Sequence, residues 1–558
     1  MSNKKQSLEK VADSGGNGLQ KKTDQNSRLT RRSLMKIAGV ASASGVLSSQ
    51  GAVAVAEHES DGFDPLEATA AEVRTAIVRE QATAVEIVEI YLDRIEEYDD
   101  ELNSILTLNS NAVDRAEELD AEFAESGLIG PLHGVPVLLK DNYDTGDLPT
   151  SGGSVILEDS VPPDDAFSVQ QLRDAGGIVL AKTNMHEFAY GGTTVSSLGG
   201  QTRNPYDLDR HSRGSSGGTA SAIAANFGVI GMGSDTCSSV RGPATVTSLV
   251  GLRPSIGTVS RDGIIPLSET QDTGGPLTRT VEDTAVAMDA IAGYDSADPA
   301  TSRGVENLPT GPGESFTDYL DVDGLEGARL GAPRDFFEAA PGFGEPTESD
   351  PEVVEVIDTA LHDMDALGAE VISLEMPELF EILQSIGVIQ YELRRDMNAY
   401  LDSLDDPPVE NFTELVETDD YVPGIKDALE AALEVDPEQL DENVEYLSKL
   451  ADRDEVQELL LSTMAEEDLD AIVYPSEVLP PGRIDSDDQN GGGNCLISAG
   501  SGFPAISVPA GFTETNHLPA GVEFLGRPFS EPLLIELSYA YEQGTMHRQQ
   551  PEGYGVIE

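Results

Sequence analysis

Tryptophan is missing from this 558-residue chain, cysteine occurs twice and histidine seven times. Two cysteines, Cys237 and Cys495, are too few for a disulfide framework and lack metal-ligand spacing, so no structural disulfide is expected. There is no HExxH pair, no histidine cluster and no P-loop, which leaves no sequence support for a metal or a nucleotide. The stretch Gly231-Met-Gly233-Ser-Asp235-Thr lacks the third glycine of a dinucleotide fingerprint, so a nicotinamide cofactor is disfavoured too. Positive charge is scarce: 34 basic residues face 101 acidic ones, a formal net charge of −67. Such a balance excludes nucleic-acid binding driven by phosphate neutralisation. Beyond residue 57 the lysines are Lys140, Lys182, Lys426 and Lys449 alone, against 21 arginines. Long apolar runs are also wanting, and no stretch of the mature chain approaches the roughly 18 residues of a membrane span.

What is present begins with acidity spread along the whole chain after about residue 57, which reads as a solvated surface rather than an acidic tail. With little lysine and much Asp, Glu, Gly and Ala, the composition suits high salt, where screening relieves self-repulsion, and implies a halophilic source. Residues 1–56 read as an export signal. A polar lysine-containing start leads to Thr30-Arg31-Arg32-Ser33-Leu34-Met35-Lys36, similar to a twin-arginine motif. A modestly apolar run and Ala-x-Ala sites around Ala52–Ala56 follow. The expected location is extracellular or at the cell surface, with cleavage or retention of the signal open.

From 64 to 125 the apolar returns Ile87, Val88, Tyr91, Leu92 and Ile95 predict helices. Strands are expected at 135–139, 178–181, 229–232, 471–474 and 505–508, and a small-residue helix at 220–226. Two of these strands run directly into Lys140 and Lys182, placing both lysines at strand ends, where α/β sheets build sites. Residues 296–350, rich in Pro, Gly and Asp, read as a peripheral connection, followed by acidic helices to about 467.

The chemistry concentrates in two serine-bearing turns, Arg213-Gly-Ser215-Ser216-Gly-Gly-Thr219 and Ser234-Asp235-Thr236-Cys237-Ser238-Ser239-Val240-Arg241, whose serines Ser215 and Ser239 lie 24 positions apart. Glycine-rich turns can aim successive N–H groups at one point, as a developing oxyanion requires. Gly214-Ser215-Ser216-Gly217-Gly218 formally satisfies G-x-S-x-G, but His362, His517 and His547 have no context that recommends them as triad partners. A lysine can activate a serine instead if burial keeps its amine neutral, and Lys140, after an apolar strand, fits. On those two residues alone, an ion pair of Lys140 with Asp141 is an equal alternative.

The segment Leu132-His-Gly134-Val-Pro136-Val-Leu-Leu-Lys140-Asp141-Asn142 resembles the lysine motif of the amidase signature family, and the two turns match that family's serine motifs. Lys182-Thr-Asn184, Asn204-Pro205, Gly251-Leu-Arg253-Pro254, Gly275-Pro276-Leu-Thr-Arg279 and Phe503-Pro504-Ala505 extend the likeness from about 64 to 550. The resemblance implies an α/β fold, a large mixed sheet surrounded by helices, with residues about 313–467 as a peripheral, acidic, mostly helical insertion. It further implies a triad of Lys140 as base, Ser215 as a cis-peptide relay and Ser239 as nucleophile. Backbone N–H groups of Thr236, Cys237, Ser238 and Ser239 would form the oxyanion hole, with Ser216, Asp235 and Arg241 in support. No cofactor or metal is implied. The implied activity is hydrolysis of a small-molecule carboxylic amide, with homodimerisation left open. The alternatives are the glutaminase component (the A subunit) of a transfer-RNA amidotransferase, and a non-catalytic amide-binding protein. Two departures stand out: the usual Gly-Gly before the nucleophile is Cys237-Ser238, and Arg213 stands where a glycine is common. Cys237 is expected as a small packing residue, Arg213 as a possible aid to an anionic acyl group, and Lys182 as a packing lysine rather than a second base. Met185, His186, Phe188, Tyr190 and the 491–501 loop are candidate pocket residues, with packing the alternative.

Overall fold

The computed structural model describes residues 63–311, 313–341, 346–486 and 492–557, so the proposed signal at 1–56 lies outside the described residues. Eleven strands build one sheet. In chain order they are β1 (Ile105–Leu108), β2 (Pro136–Lys140), β3 (Ile178–Thr183), β4 (Ile230–Asp235), β5 (Val250–Arg253) and β6 (Thr273–Thr278). Then come β7 (Arg329–Pro333), β8 (Glu370–Leu374), β9 (Ala471–Pro475), β10 (Ala505–Phe512) and β11 (Pro519–Leu525). Their spatial order is β1-β3-β2-β4-β6-β5-β10-β11-β9-β7-β8. The sheet is mixed. β2 runs parallel to β3 and β4, and β7 parallel to β8 and β9, while the central pairs are antiparallel.

Every residue of β2, β3 and β4 is buried. That follows from their near-continuous apolar or small sequences, which suit strands covered on both faces. Five helices matter below: α1 (Ala84–Leu102), α2 (Gly217–Ala224), α3 (Arg241–Val246), α4 (Ile389–Ser403) and α5 (Cys495–Ser501). Helix α1 starts at a capping box, Thr83 with Glu86, and buries Ile87, Val88, Tyr91 and Ile95. Helix α2 is buried along its whole length because its residues are small. A Cβ added at Gly218 would lie 2.0 Å from the carbonyl oxygen of Asn184, so only glycine lets α2 approach that backbone. At Gly233 in β4 an added Cβ would lie 2.8 Å from Ser216 Oγ. Two bare positions thus bring both serine turns together.

The segment 313–467 departs from the expected insertion. Its helices pack outside the sheet, but β7 and β8 lie within this segment and are strands of the sheet itself, at one end of it. Likewise β1 interrupts the helical pattern of 64–125 and pairs with β3. Helix α4 contributes Leu393, Met397 and Leu401 to a second apolar cluster, which also takes in Met185 and Phe188. Met185 and Phe188 are buried in that cluster. None of the described helices is long and apolar enough to cross a membrane.

Candidate active site

Parallel pairing of β2 with β4, Leu139 opposite Met232, carries Lys140 and Ser234 to the same end of the sheet. Lys140 is fully buried there. Its Nζ lies 2.6 Å from Ser215 Oγ, 2.8 Å from Ser234 Oγ and 3.3 Å from the Ser234 carbonyl. Burial brings its pKa down from 10.5 to about 7, against the pull of Asp235 and Asp272. A large share of the amine is then unprotonated at neutral pH. The ion pair with Asp141 does not form. Asp141 sits 3.5 Å from Lys182 Nζ instead and accepts from the N–H groups of Ser151 (3.1 Å) and Gly153 (3.2 Å). Lys182 also donates to Thr150 Oγ1 at 2.8 Å and the Pro149 carbonyl at 3.0 Å, so its position is that of an ion-paired core lysine.

The first serine turn carries a cis peptide bond between Gly214 and Ser215. Thr194 holds it from both sides: its hydroxyl donates to the Arg213 carbonyl at 2.6 Å and accepts from Gly217 N–H at 3.0 Å. His186 N–H donates to the Ser215 carbonyl at 3.0 Å. The His186 ring accepts from Thr193 N–H at 3.2 Å, and burial, reinforced by Lys140, lowers its pKa to about 4. It is a neutral clamp at pH 7. Ser216 ties the turns together, its N–H donating to the Ser239 carbonyl at 3.2 Å and its hydroxyl to the Ser234 carbonyl at 3.3 Å. Ser215 is wholly buried, whereas Ser239 keeps 8% exposure. A side-chain bond between Ser215 and Ser239 is not among the hydrogen bonds of the described residues.

Behind the second turn lies a buried charge cluster. Asp235 accepts from Val240 N–H (3.0 Å), Arg241 Nε (3.3 Å) and Arg253 Nη1 (3.0 Å). Burial alone would raise the Asp235 pKa, but the two guanidiniums outweigh it and hold it at about 2. Arg241 also binds Glu523, itself held by Tyr474 OH at 2.7 Å and Ser476 Oγ at 3.0 Å. The cluster takes up the N–H groups of Val240 and Arg241, while Gly242 N–H goes to the Ser238 carbonyl. Among the described residues the N–H groups of 236–239 have no intramolecular acceptor. Gln271 Nε2 and the Asp272 carboxylate fix Thr236, at 3.0 and 2.5 Å.

Two expectations fail here. Cys237 does not merely pack: it forms a disulfide with Cys495 at the start of α5, with Cα atoms 4.9 Å apart across a sequence separation of 258. Spacing in sequence could not reveal this, because only the fold brings the turn after β4 and α5 together. Arg213 is not free for an anionic acyl group either, since it is buried in an ion pair with Glu477. The expected 491–501 loop is helix α5 from Cys495 onward, and residue 491 lies outside the described residues. A cavity of about 350 Å³ opens beside the turns, lined by Ala189, Ser234, Thr236, Ile265, Leu267 and Tyr400 among others. Ser234, Gln271, Asp272, Glu477 and Glu523 carry no sequence signal for their roles, although Ser234 stands inside the second serine turn.

The amidase family profile matches residues 86–535. Among curated relatives, the A subunit of glutamyl-tRNA(Gln) amidotransferase from Methanosarcina acetivorans is 33% identical over 84% of this chain and 96% of its own. A probable amidase of Arabidopsis thaliana is 31% identical over 88% and 93%. In structure, the native peptide amidase of Stenotrophomonas maltophilia superposes with a TM-score of 0.75 at 33% identity, covering 87% of this chain and 99% of that one. An amidase family protein of Bacillus anthracis also gives 0.75, at 30% identity over 88% and 93%. With its mixed sheet, its paired serine turns and a buried lysine against one of them, the chain belongs to the amidase family, the amidase-signature enzymes, and is an amide-cleaving hydrolase.

Proposed function

We propose that the chain cleaves carboxylic amides through Lys140, Ser215 and Ser239. The observation that carries this is the 2.6 Å contact between a fully buried Lys140 Nζ and Ser215 Oγ. Neutral Lys140 accepts the Ser215 proton while Ser215 takes that of Ser239, whose hydroxyl turns towards Ser215 when substrate is bound. Ser239 Oγ attacks the amide carbonyl. The N–H groups of 236–239 stabilise the oxyanion, and the relay runs backwards to protonate the leaving nitrogen. Water then releases the acid from the acyl-enzyme and restores Ser239.

The likeness to a peptide amidase supports peptide amides as the substrates to try first. The curated relatives named as glutamyl-tRNA(Gln) amidotransferase components keep glutaminase activity as a second reading. The disulfide supports export, because such bonds persist in oxidising compartments, and the Arg31-Arg32 pair supports the twin-arginine route. Intact-mass analysis with activated acyl probes tests the mechanism: one adduct at Ser239 in the wild type and none in Ser239→Ala, with turnover down by at least ~1000-fold and folding unchanged. An adduct elsewhere would overturn the assignment. Glutamine turnover that needs added partner proteins would favour the second reading.

A further inference from the structure

The Cys237–Cys495 bond closes on the very turn whose N–H groups face the reaction. Cys237 lies between Thr236 and Ser238, where the backbone N–H groups carry no intramolecular bond of their own among the described residues. Cys495 belongs to another part of the fold, the start of α5, seated by the neighbouring Asn494, whose Nδ2 donates to the carbonyls of Pro475 (2.7 Å) and Phe336 (3.0 Å). Arg241 reaches the carbonyls of both half-cystines, that of Cys237 directly and that of Cys495 at 3.3 Å. One guanidinium and one covalent bond therefore fasten the same two backbones. Neither Cys237 nor Ser238 is among the described residues with positive φ, so the turn holds ordinary backbone that side chains adopt, and the bond ties it to α5. Both half-cystines are half-buried rather than sealed.

We propose that Cys237 and Cys495 are positioning residues, and that their disulfide holds the oxyanion turn and makes turnover depend on the thiol redox state. This rests on the catalytic reading of residues 236–239. In reduction by a dithiol, one thiolate attacks a bridge sulfur and forms a mixed disulfide. The second thiol then closes the reductant's own disulfide. The protein gains two electrons and two protons as two thiols, and the dithiol loses the same.

The test uses the full mature chain in molar salt, oxidised and then treated with dithiothreitol, with maleimide mass shifts counting thiols. Two adducts are expected only after reduction. Reduction should raise amide hydrogen exchange at 236–239 and lower kcat by at least ~10-fold, with KM changing less than about twofold, because the donors act on the transition state. Reoxidation should restore both. Cys495→Ser should behave like the reduced form and ignore dithiothreitol. Two maleimide adducts before reduction overturn the proposal, as does a reduced protein whose exchange and kcat stay within about twofold of the oxidised one. If the oxidised protein neither turns over nor takes an acyl probe, the catalytic reading fails, and the exchange measurement alone then decides whether the bond holds the turn.

Discussion

Lys140 owes its lowered pKa to where β2 ends. Its ammonium would be buried against neutral hydroxyls, so burial favours the amine and the pKa falls to about 7. On the proposed mechanism the amine is the active form, so kcat/KM should rise with pH through about 7 and level off above it, which a pH–rate profile will check. The linkage has the same sign. An unfolded lysine keeps its proton up to about 10.5, so between about 7 and 10.5 the unfolded chain holds the extra proton and the contribution of this group to stability rises with pH. Lys182 is equally buried and chemically different, because Asp141 neutralises it. Lys182→Met leaves that carboxylate unpaired and should cost about 3 kcal/mol in denaturant unfolding at pH 8. Turnover per folded molecule should fall far less than on loss of Lys140. Sequence pattern alone could not separate these two lysines, since each follows an apolar strand and Asp141 adjoins only the wrong one.

Elements were legible where local pattern and burial agree. The strands leading into Lys140 and Lys182 are all-buried parallel strands and read as apolar runs. β7 and β8 were missed because Arg329-Leu-Gly-Ala-Pro333 carries glycine and proline, and Glu370-Val-Ile-Ser-Leu374 is a partly exposed edge. Each looks like connection until a neighbour pairs with it. Of the site, the serine turns were legible because their residues are contiguous. Their supports, Glu477, Cys495 and Glu523, arrive from far along the chain and left no local mark. The close seat of α2 gives an element-scale test. Gly218→Ala places Cβ 2.0 Å from a backbone oxygen that cannot swing aside, so α2 must retreat. A loss of about 2 kcal/mol in stability and a fall in kcat are expected, read from unfolding midpoints and steady-state kinetics.

Across the molecule, a net charge of −67 opposes compaction at low ionic strength. Raising salt from about 0.1 M to about 1 M shortens the Debye length from about 10 Å to about 3 Å and removes most of that repulsion. The thermal midpoint should therefore climb steeply over this range, and circular dichroism melts at several salt concentrations will register it. A flat response would remove the case for salt adaptation.

The charge cluster behind the second turn also orders events in time. Lys140, Ser215 and Ser239 are synthesised early and Arg241 has Asp235 close by in sequence, yet Arg241 finds its second carboxylate partner Glu523 only near the end of the chain, and Cys237 its bond only in Cys495. A nascent chain still on the ribosome, or one cut short before β11, carries all three proposed catalytic side chains without the Glu523 part of the brace that sets their turn. On the proposed mechanism, a chain cut short before β11 lacks the Glu523 part of that brace and should not cleave amides, which an assay of such a truncation will check.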